Sequence, residues 1–276
     1  MANVTVVGLG IIGSIWAKHY ADDGHTVLTW NRTPQAEFPG FVPDLVQSVE
    51  CADMIHLCVA DPAAVQSVLK VILAELDESM LVIQSSTISP SAAESFAGMV
   101  TATGARYLEA PFTGSKPAAE SRDLVFFQGG SSVAVEKAAP FLEPLSRKRF
   151  VLGSPQQAAA IKLSMNLQIA AVSQALTEGY HLAHQFGLSH EQFYEVLQEN
   201  VAYSGLAKLK EPKLKASDYS PQFSVKHMRK DLGLALDAAA ELSLQLTQRT
   251  KEIYDAGADA GLGNKDFIAL EQLIQG

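Results

Sequence analysis

The stretch Asn3–Gly13, NVTVVGLGIIG, joins a short apolar run to a Gly-x-Gly-x-x-Gly motif. The apolar run predicts a strand, and the residues after the motif predict a helix that runs to about Ala21. In this context the first glycine permits a tight turn, the second lets a ligand approach the main chain, and the third lets the helix pack on the strand. The helix N-terminus would offer N–H donors to phosphate groups. The motif therefore predicts a dinucleotide site, and the alternative is a glycine turn that binds no ligand. The residues assigned to the site are Gly8, Leu9, Gly10, Ile11, Ile12 and Gly13.

The residues after the second predicted strand, Thr26–Trp30, indicate which dinucleotide is bound. A site that prefers NAD usually places Asp or Glu here, where the carboxylate binds the ribose 2′-hydroxyl. This chain instead has Asn31, Arg32 and Thr33, and a guanidinium suits a phosphate group. We therefore expect NADP (NADPH) rather than NAD. The alternative is that Arg32 is an ordinary surface arginine.

Strands and helices continue to alternate through the first half of the chain. Further strands are predicted at Met54–Val59, Leu81–Gln84, Arg106–Ala110, Leu124–Gln128 and Phe150–Leu152. This alternation predicts an α/β fold with a Rossmann-type, doubly wound, mostly parallel sheet.

Ligands in such folds bind beyond the carboxyl ends of the strands. The turns Ala60-Asp61, Ser86-Thr87 and Phe112–Lys116 follow predicted strands. We assign Val59, Ala60 and Asp61 to the cofactor site. For Ser86 and Thr87 the alternative is that they only cap a helix.

A long helix is predicted over Ala158–Phe186, which contains no proline. Lys162 and Asn166 lie on one face of it, and Ser173 and Thr177 continue the same stripe. No acidic residue lies three or four positions from Lys162. An ammonium held in apolar surroundings is costly, so its pKa should fall. The alternative is a lysine that lays its stem along the core and reaches solvent.

The chain after Gly187 reads as helical throughout. Helices are predicted at Glu191–Gln198, Leu206–Lys213, Ser224–Leu242, Gln245–Gly257 and Asp266–Gln275. We expect two domains, residues 1–155 for dinucleotide binding and residues 156–276 as an all-helical substrate and dimerisation domain. A cleft where two such domains join is a common substrate site.

With the segment Glu109–Ala118 added, the chain resembles the β-hydroxyacid dehydrogenase family over essentially its whole length, and it looks most like the glyoxylate/succinic semialdehyde reductase branch. The matching motifs are the glycine loop, Thr113-Gly114-Ser115 after an Ala-Pro, the Lys162–Asn166 pair, and Lys230-Asp231-Leu232. Two departures stand out. Gln156-Gln157-Ala158 replaces the family's Gly-x-Gly before the lysine, and Thr113 stands where serine is common.

The resemblance implies roles for these residues. The catalytic pair would be Lys162, as general acid and base, and Asn166, which holds the lysine or the substrate oxygen. Thr113, Gly114 and Ser115 would bind the substrate carboxylate. Thr87 would lie near the nicotinamide. The remaining assignments are Lys230 to the cofactor, and Phe223 and Asp231 to the substrate.

These observations predict an NADP(H)-dependent oxidoreductase that transfers hydride between the nicotinamide and a small aldehyde or β-hydroxy acid. Imine reductases share this architecture but generally lack the lysine, so Lys162 favours carbonyl chemistry. The alternative from another class is a non-catalytic dinucleotide-binding protein. The resemblance also implies a homodimer.

Composition excludes several other classes. A formal net charge of -9 argues against general nucleic-acid or anionic-membrane binding. Cys51 and Cys58 are too few for a disulfide scaffold, and neither a secretory signal nor a membrane span is evident. We therefore expect a cytoplasmic protein. We expect no metal site, since His181 and His184 read as surface histidines. The lysines at 208, 210, 213 and 215 read as a solvated face.

Overall fold

The computed structural model describes residues 1–274, and this part of the chain contains an eight-stranded sheet. Its strands are β1 (Asn3–Val7), β2 (Thr26–Trp30), β3 (Met54–Leu57), β4 (Leu81–Gln84), β5 (Arg106–Glu109), β6 (Phe112–Thr113), β7 (Leu124–Gly130) and β8 (Ser146–Val151). The order is β2-β1-β3-β4-β5-β7-β6, and β8 pairs with β7. Strands β1 to β5 are parallel, whereas β7 runs antiparallel to β5 and β6. The predicted α/β fold with a mostly parallel sheet is confirmed.

Helices cover both faces of this sheet. They are α1 (Ile11–Asp22), α2 (Leu45–Val49), α3 (Pro62–Ile72), α4 (Pro90–Thr101), α5 (Lys116–Glu120) and α6 (Ser132–Leu142). Alternate residues of one strand serve opposite cores: Val7 of β1 packs with Leu69 of α3, while Val6 packs with Trp16 of α1. Both cores are apolar because the strands are buried on both faces. This arrangement places the carboxyl ends of the parallel strands together at one edge.

The chain divides into two compact units. The first, called here the sheet unit, comprises Met1–Leu163, and the second, the helical unit, begins at Ser164. Helix α7 (Pro155–Gln185) contains this division, and the predicted boundary at residues 155/156 stays a prediction. The helical unit continues with α8 (His190–Gln198), α9 (Gly205–Ala216), α10 (Val225–Ala239), α11 (Gln245–Asp259) and a 3-10 helix at Phe267–Leu273. Among residues 1–274, none of the helices combines the length and the apolar character needed to cross a bilayer.

The ends of most predicted elements lie within three residues of those in the structure, and three predictions differ further. Strand β8 begins at Ser146 rather than Phe150, because Arg147, Lys148 and Arg149 break the apolar pattern while remaining in an edge strand, where charges are tolerated. The predicted turn Phe112–Lys116 contains the two-residue strand β6, which pairs with β7. The last predicted α-helix, Asp266–Gln275, is a 3-10 helix, and its final residue lies outside the described residues.

The predicted solvated lysine face was wrong for two of its four members. Lys210 and Lys213 are 1% and 6% exposed, whereas Lys208 and Lys215 lie at the surface. The Lys210 ammonium binds a carboxylate oxygen of Asp266 at 2.7 Å, and Lys213 binds Asp218 at 2.9 Å. These acidic partners lie in later loops, so the local pattern of the helix does not reveal them.

The predicted surface histidines are half-buried. His181 Nε2 lies 3.0 Å from a carboxylate oxygen of Glu271, and the ring of His184 lies edge-on to Tyr180 with centroids 4.1 Å apart. The prediction failed because Glu271 lies 90 residues away in sequence. Within the described chain, no group of three or more His, Cys, Asp or Glu side chains is arranged to hold a metal ion.

Candidate active site

The glycine turn between β1 and α1 contains Gly8 and Gly10, and Gly13 lies in the first turn of α1. The three glycines have different surroundings. Gly8 has a φ of 105°, and a Cβ there would collide with the Cys58 carbonyl oxygen. A Cβ on Gly13 would collide with the carbonyl oxygen of Gly8. A Cβ on Gly10, by contrast, would have no described atom within 4 Å. The packing of the chain itself therefore requires Gly8 and Gly13 but not Gly10, where the main chain is open to close approach by a ligand.

Helix α1 begins directly after this turn. Gly10 is its N-terminal flanking residue, in an extended conformation, and in the part of the chain described no side chain caps the helix. Its first turn also contains no acidic residue. The first N–H groups of a helix lack partners within the helix, and they carry a partial positive charge. The turn and the helix start thus fit the pyrophosphate of a dinucleotide.

Asn31 holds the glycine turn from the end of β2. Its Oδ1 accepts a hydrogen bond from the main-chain N–H of Leu9 at 3.0 Å, and its Nδ2 donates to the Thr33 carbonyl oxygen at 2.8 Å. Arg32 and Thr33 are exposed beside it. The structure therefore brings Asn31 to the predicted cofactor loop. It leaves Arg32 and Thr33 exposed just after β2, the position that contacts the 2′ group of the adenosine ribose in dinucleotide-binding folds of this type.

The turn after β3 packs directly on the glycine turn. A Cβ on Gly8 would lie 3.0 Å from Val59 Cγ1, and the main-chain N–H of Val59 donates to Ser86 Oγ at 2.8 Å. Asp61 caps α3 by accepting from Ala64 N at 2.8 Å, and Ala60 is exposed between them. Hydrogen bonds thus fix Val59 and Asp61 at the carboxyl end of β3, the edge of the sheet where the cofactor is predicted to bind.

Ser86 and Thr87 do not cap the next helix. The cap of α4 is Ser89, whose Oγ accepts from Ala92 N at 3.2 Å. Ser86 is 3% exposed and its hydroxyl faces the Val59 main chain, while Thr87 is half-buried in the turn. The capping alternative is therefore wrong, and the turn after β4 connects to the turn after β3.

A buried carboxyl lies at the base of this connection. Glu109 Oε1 accepts from Gln84 Nε2 at 2.8 Å, and its Oε2 accepts from the Tyr107 hydroxyl at 2.6 Å. Gln84 also donates to the Ser86 carbonyl oxygen at 2.9 Å and accepts from Ser86 N at 2.5 Å. Glu109 is fully buried, and this desolvation raises its pKa to about 8 despite the opposing hydrogen bonds from Tyr107 and Gln84.

The buried imidazole of His56, on β3, forms a second chain of hydrogen bonds. Ser85 Oγ donates its single proton to the Ala110 carbonyl oxygen at 2.7 Å, so it accepts from His56 Nε2 at 2.8 Å. His56 Nδ1 then accepts from the Tyr20 hydroxyl at 2.9 Å. Burial lowers the pKa of His56 to about 3, so the ring is neutral. This chain supports Ala110, just before the predicted substrate loop.

The predicted substrate loop lies between β6 and α5. Gly114 has a φ of 122°, a conformation that glycine adopts without strain. Thr113 and Ser115 are half-buried on either side of it, and the Ser115 side chain does not cap α5. Lys162, also half-buried, places its ammonium 5.8 Å from the ring centroid of Phe112. The structure thus brings the predicted catalytic lysine next to the predicted substrate loop.

Three predicted residues of the helical unit form one cluster. Asn166 Nδ2 donates to Asp231 Oδ2 at 2.6 Å, and the Lys230 ammonium lies 2.9 Å from Asp231 Oδ1. Asn166 and Asp231 are each 2% exposed. Phe223 packs against the core of the helical unit, with its ring centroid 6.2 Å from that of His227 and 6.4 Å from that of Phe267. The sequence had suggested Asn166 and Asp231 as separate contacts and did not reveal their mutual bond.

The two buried hydrogen-bond chains were missed by sequence reasoning. A signal for both existed, since His56 interrupts the apolar strand MIHL and Gln84 ends the apolar strand LVIQ. Polar side chains at buried strand positions need hydrogen-bond partners. The identity of those partners depends on strand order, which the local sequence does not contain.

Comparisons with known proteins agree with this architecture. Residues 3–153 match the model of the NAD binding domain of 6-phosphogluconate dehydrogenase, and residues 157–274 match that of the NAD-binding domain of NADP-dependent 3-hydroxyisobutyrate dehydrogenase. The chloroplastic glyoxylate/succinic semialdehyde reductase 2 of Arabidopsis thaliana is 29% identical over 99% of this chain and 79% of its own length.

Two further proteins are similar over most of this chain. The cytokine-like nuclear factor N-PAC of Aedes aegypti is 30% identical over 92% of this chain, which spans only 47% of that protein. The solved structure of 3-hydroxyisobutyrate dehydrogenase from Mycobacterium tuberculosis, with L-serine, is 26% identical, covers 100% of both chains and superposes with a TM-score of 0.90. The chain belongs to the β-hydroxyacid dehydrogenase family, whose members are NAD(P)-dependent oxidoreductases with the NAD-binding domain of 6-phosphogluconate dehydrogenase.

Proposed function

We propose that this chain uses NADP(H) to interconvert a small carboxylated aldehyde, of the glyoxylate or succinic semialdehyde type, and the corresponding hydroxy acid. The observation that carries the proposal is the position of Lys162, whose ammonium contacts the Phe112 ring directly before Thr113. The cofactor would supply or accept the hydride when it is bound. The protein must then bind the substrate, orient it and manage one proton.

Lys162 is the proposed proton donor and acceptor. Negative charge grows on the carbonyl oxygen as an aldehyde is reduced, and the ammonium would donate a proton to that oxygen. In the reverse direction the amine would take the proton from the hydroxyl. Asn166, one helical turn further along α7, is the proposed partner that holds the lysine or the substrate oxygen. Asp231 orients the Asn166 amide, so we propose that its effect on the substrate operates through Asn166.

The loop Thr113-Gly114-Ser115 is the proposed carboxylate site. Its two hydroxyl groups and its main-chain N–H groups are donors of the kind that bind an anionic oxygen. Phe223 is the proposed apolar contact for the rest of the substrate, and Thr87 is proposed to lie near the nicotinamide.

The proposed cofactor contacts are the glycine turn and the exposed residues that follow β2. The open main chain at Gly10 and the uncapped start of α1 support pyrophosphate binding. The absence of a carboxylate among Asn31, Arg32 and Thr33 supports NADPH over NADH. Val59, Ala60, Asp61 and Lys230 complete the proposed set. On the resemblance alone we also propose a homodimer, and on the composition we propose a cytoplasmic location.

A substrate panel with a lysine variant tests this function. Oxidation of NADPH and of NADH is followed with glyoxylate, succinic semialdehyde and a cyclic imine, for wild type, Lys162→Ala and Lys70→Ala. Lys70 is an exposed lysine on α3 of the same unit and serves as the matched control. We expect aldehyde reduction with NADPH, a loss of about 10²- to 10⁴-fold in turnover for Lys162→Ala, and nearly unchanged NADPH affinity.

Each other outcome contradicts a defined part of the proposal. Reduction of the imine alone would indicate an imine reductase, and NADPH binding without oxidation of any kind would indicate a non-catalytic protein. Turnover of Lys162→Ala within a few-fold of wild type would exclude the lysine as the proton donor. A preference for NADH would remove the role given to Arg32.

A further inference from the structure

The dinucleotide site is supported by side chains that are too deep to touch a ligand. Glu109, Gln84 and Ser86 are each 3% exposed or less, and Tyr107 is 3% exposed. They form one hydrogen-bonded chain across β5 and β4, in the order Tyr107, Glu109, Gln84 and Ser86, called here the Glu109 relay. It ends at the main-chain N–H of Val59.

The end of the relay meets the glycine turn directly. A Cβ on Gly8 would collide with the Cys58 carbonyl group and would lie 3.0 Å from Val59 Cγ1. A shift of the Val59 main chain would therefore move the surface on which the turn rests. Because close packing transmits small displacements, the position of the turn depends on the hydrogen bond between Val59 N and Ser86 Oγ.

We infer that Glu109 is a positioning residue for the dinucleotide site, acting through Gln84 and Ser86 on the Val59 main chain. The inference rests on the proposed function, since it assumes that a dinucleotide occupies the glycine turn. Glu109 itself is too deeply buried to contact the cofactor or the substrate. Its two carboxyl oxygens orient Gln84 and Tyr107, and Gln84 in turn orients Ser86 through both its amide oxygen and its amide nitrogen.

Two adjacent serines provide a matched pair for the test. Ser86 ends the Glu109 relay, whereas Ser85 belongs to the chain of His56 and Ala110 and has no hydrogen bond to Val59 among those described. The two side chains are 2% and 3% exposed, so Ser85→Ala and Ser86→Ala each remove one buried hydroxyl. A purely structural role would lower the melting temperature in both variants and would not separate their cofactor affinities.

The experiment measures the dissociation constant of NADPH by fluorescence titration, together with the melting temperature, at pH 7. We expect Ser86→Ala to weaken NADPH binding about five- to tenfold and Ser85→Ala to change it less than twofold. Glu109→Gln keeps a donor and an acceptor for Tyr107 and Gln84. The affinity of this variant for NADPH should therefore stay within twofold of wild type. Glu109→Ala should weaken binding at least as much as Ser86→Ala.

The outcomes separate this inference from the proposed function. Wild type that binds neither NADPH nor NADH would overturn the proposed function. Wild type that binds NADPH, with Ser86→Ala within twofold of it or equal to Ser85→Ala, would overturn the inference alone. If Glu109→Ala fails to fold, the serine pair and Glu109→Gln still decide the question, because a weakened Glu109→Gln would also contradict the relay.

Discussion

In the sheet unit, Glu109 and His56 are buried without charge, whereas in the helical unit Lys210 and Asp266 are buried as an ion pair. Burial raises the pKa of Glu109 to about 8 and lowers that of His56 to about 3, so both groups are mostly neutral at pH 7. Burial also lowers the pKa of Lys210, but the carboxylate of Asp266 opposes that shift. The sheet unit thus holds these two buried titratable groups in their neutral forms, whereas the helical unit holds its two as a charged pair.

The difference predicts which changes each unit tolerates. A neutral buried group can be replaced by a neutral side chain of similar shape, provided that its hydrogen bonds are kept. A buried ion pair cannot lose one partner without leaving the other charge uncompensated. Asp266 also accepts from the main-chain N–H groups of Gln222 and Ile268, which hold its carboxylate in place. We therefore expect the stability of the helical unit to fall strongly when its buried ion pair is broken, and the stability of the sheet unit to depend on pH.

The largest expected effect is from Lys210→Met. The substitution keeps an apolar stem of similar length but leaves the Asp266 carboxylate buried without its ammonium partner. We expect the free energy of unfolding to fall by about 3–5 kcal/mol, measured by chemical denaturation with a helix signal. Lys208→Met, on an exposed lysine of the same helix, should change it by less than about 0.5 kcal/mol. Equal effects of the two substitutions would contradict the comparison.

The second largest expected effect is a pH-dependent gain in the free energy of unfolding from Glu109→Gln. The pKa of Glu109 rises from 4.5 to about 8 on folding, so between these values the native state holds a proton that the unfolded state releases. Wild type therefore loses stability as the pH rises from 4.5 to 8, and the glutamine variant escapes this loss. We expect the variant's advantage to grow from near zero at pH 5 to about 1–3 kcal/mol at pH 8.

Thermal unfolding across this pH range measures the effect. Glu94→Gln, on an exposed glutamate of α4, is the control, and its difference from wild type should stay flat between pH 5 and pH 8. A Glu109→Gln curve parallel to that of wild type would show that the native carboxyl is already ionised at low pH.

The smallest effect has the opposite pH trend. The pKa of His56 falls from 6.5 to about 3 on folding, so wild type loses stability as the pH falls through this range. His56→Gln removes that loss but also removes the stacking on Trp16, whose ring centroid is 4.3 Å away. We expect the variant to be about 1–2 kcal/mol less stable at pH 7 and the difference to shrink towards pH 4. Denaturant titrations at pH 7 and pH 4 check this, and a difference that widens at pH 4 would contradict a neutral buried ring.

Patterns within a short stretch predicted much of the fold. The predicted strands at Thr26–Trp30 and Leu81–Gln84 have the bounds found in the structure, because their apolar residues are bounded by turn residues. The start of β8 was missed because an edge strand tolerates charge. Lys210 of α9 was misread because a positively charged side chain is buried only when a carboxylate binds it, and Asp266 lies 56 positions further along the chain.

In the candidate site too, features set by neighbouring residues were predicted, whereas contacts between residues far apart in sequence were not. The glycine motif and its strand–helix context identified the junction of β1 and α1 that contains Gly8, Gly10 and Gly13. The bond between Asn166 and Asp231 joins residues 65 positions apart, and Glu109 binds Gln84 from 25 positions away. The family resemblance indicated Asn166 and Asp231, whereas Glu109 and Gln84 were not singled out. Only strand order and helix packing reveal which of these residues touch.

The strand order also has a consequence for how the chain acquires its shape. Strand β1 pairs with β2 and with β3, and then β4 and β5 add in sequence at one side. Each of these strands can therefore join a partner that the ribosome has already released, while the residues after Ser164 are still being made. The last strand to be added, β8, docks on β7 at an edge. Pulse-labelled nascent chains should thus gain protease resistance in stages, with residues 1–57 protected before the remainder.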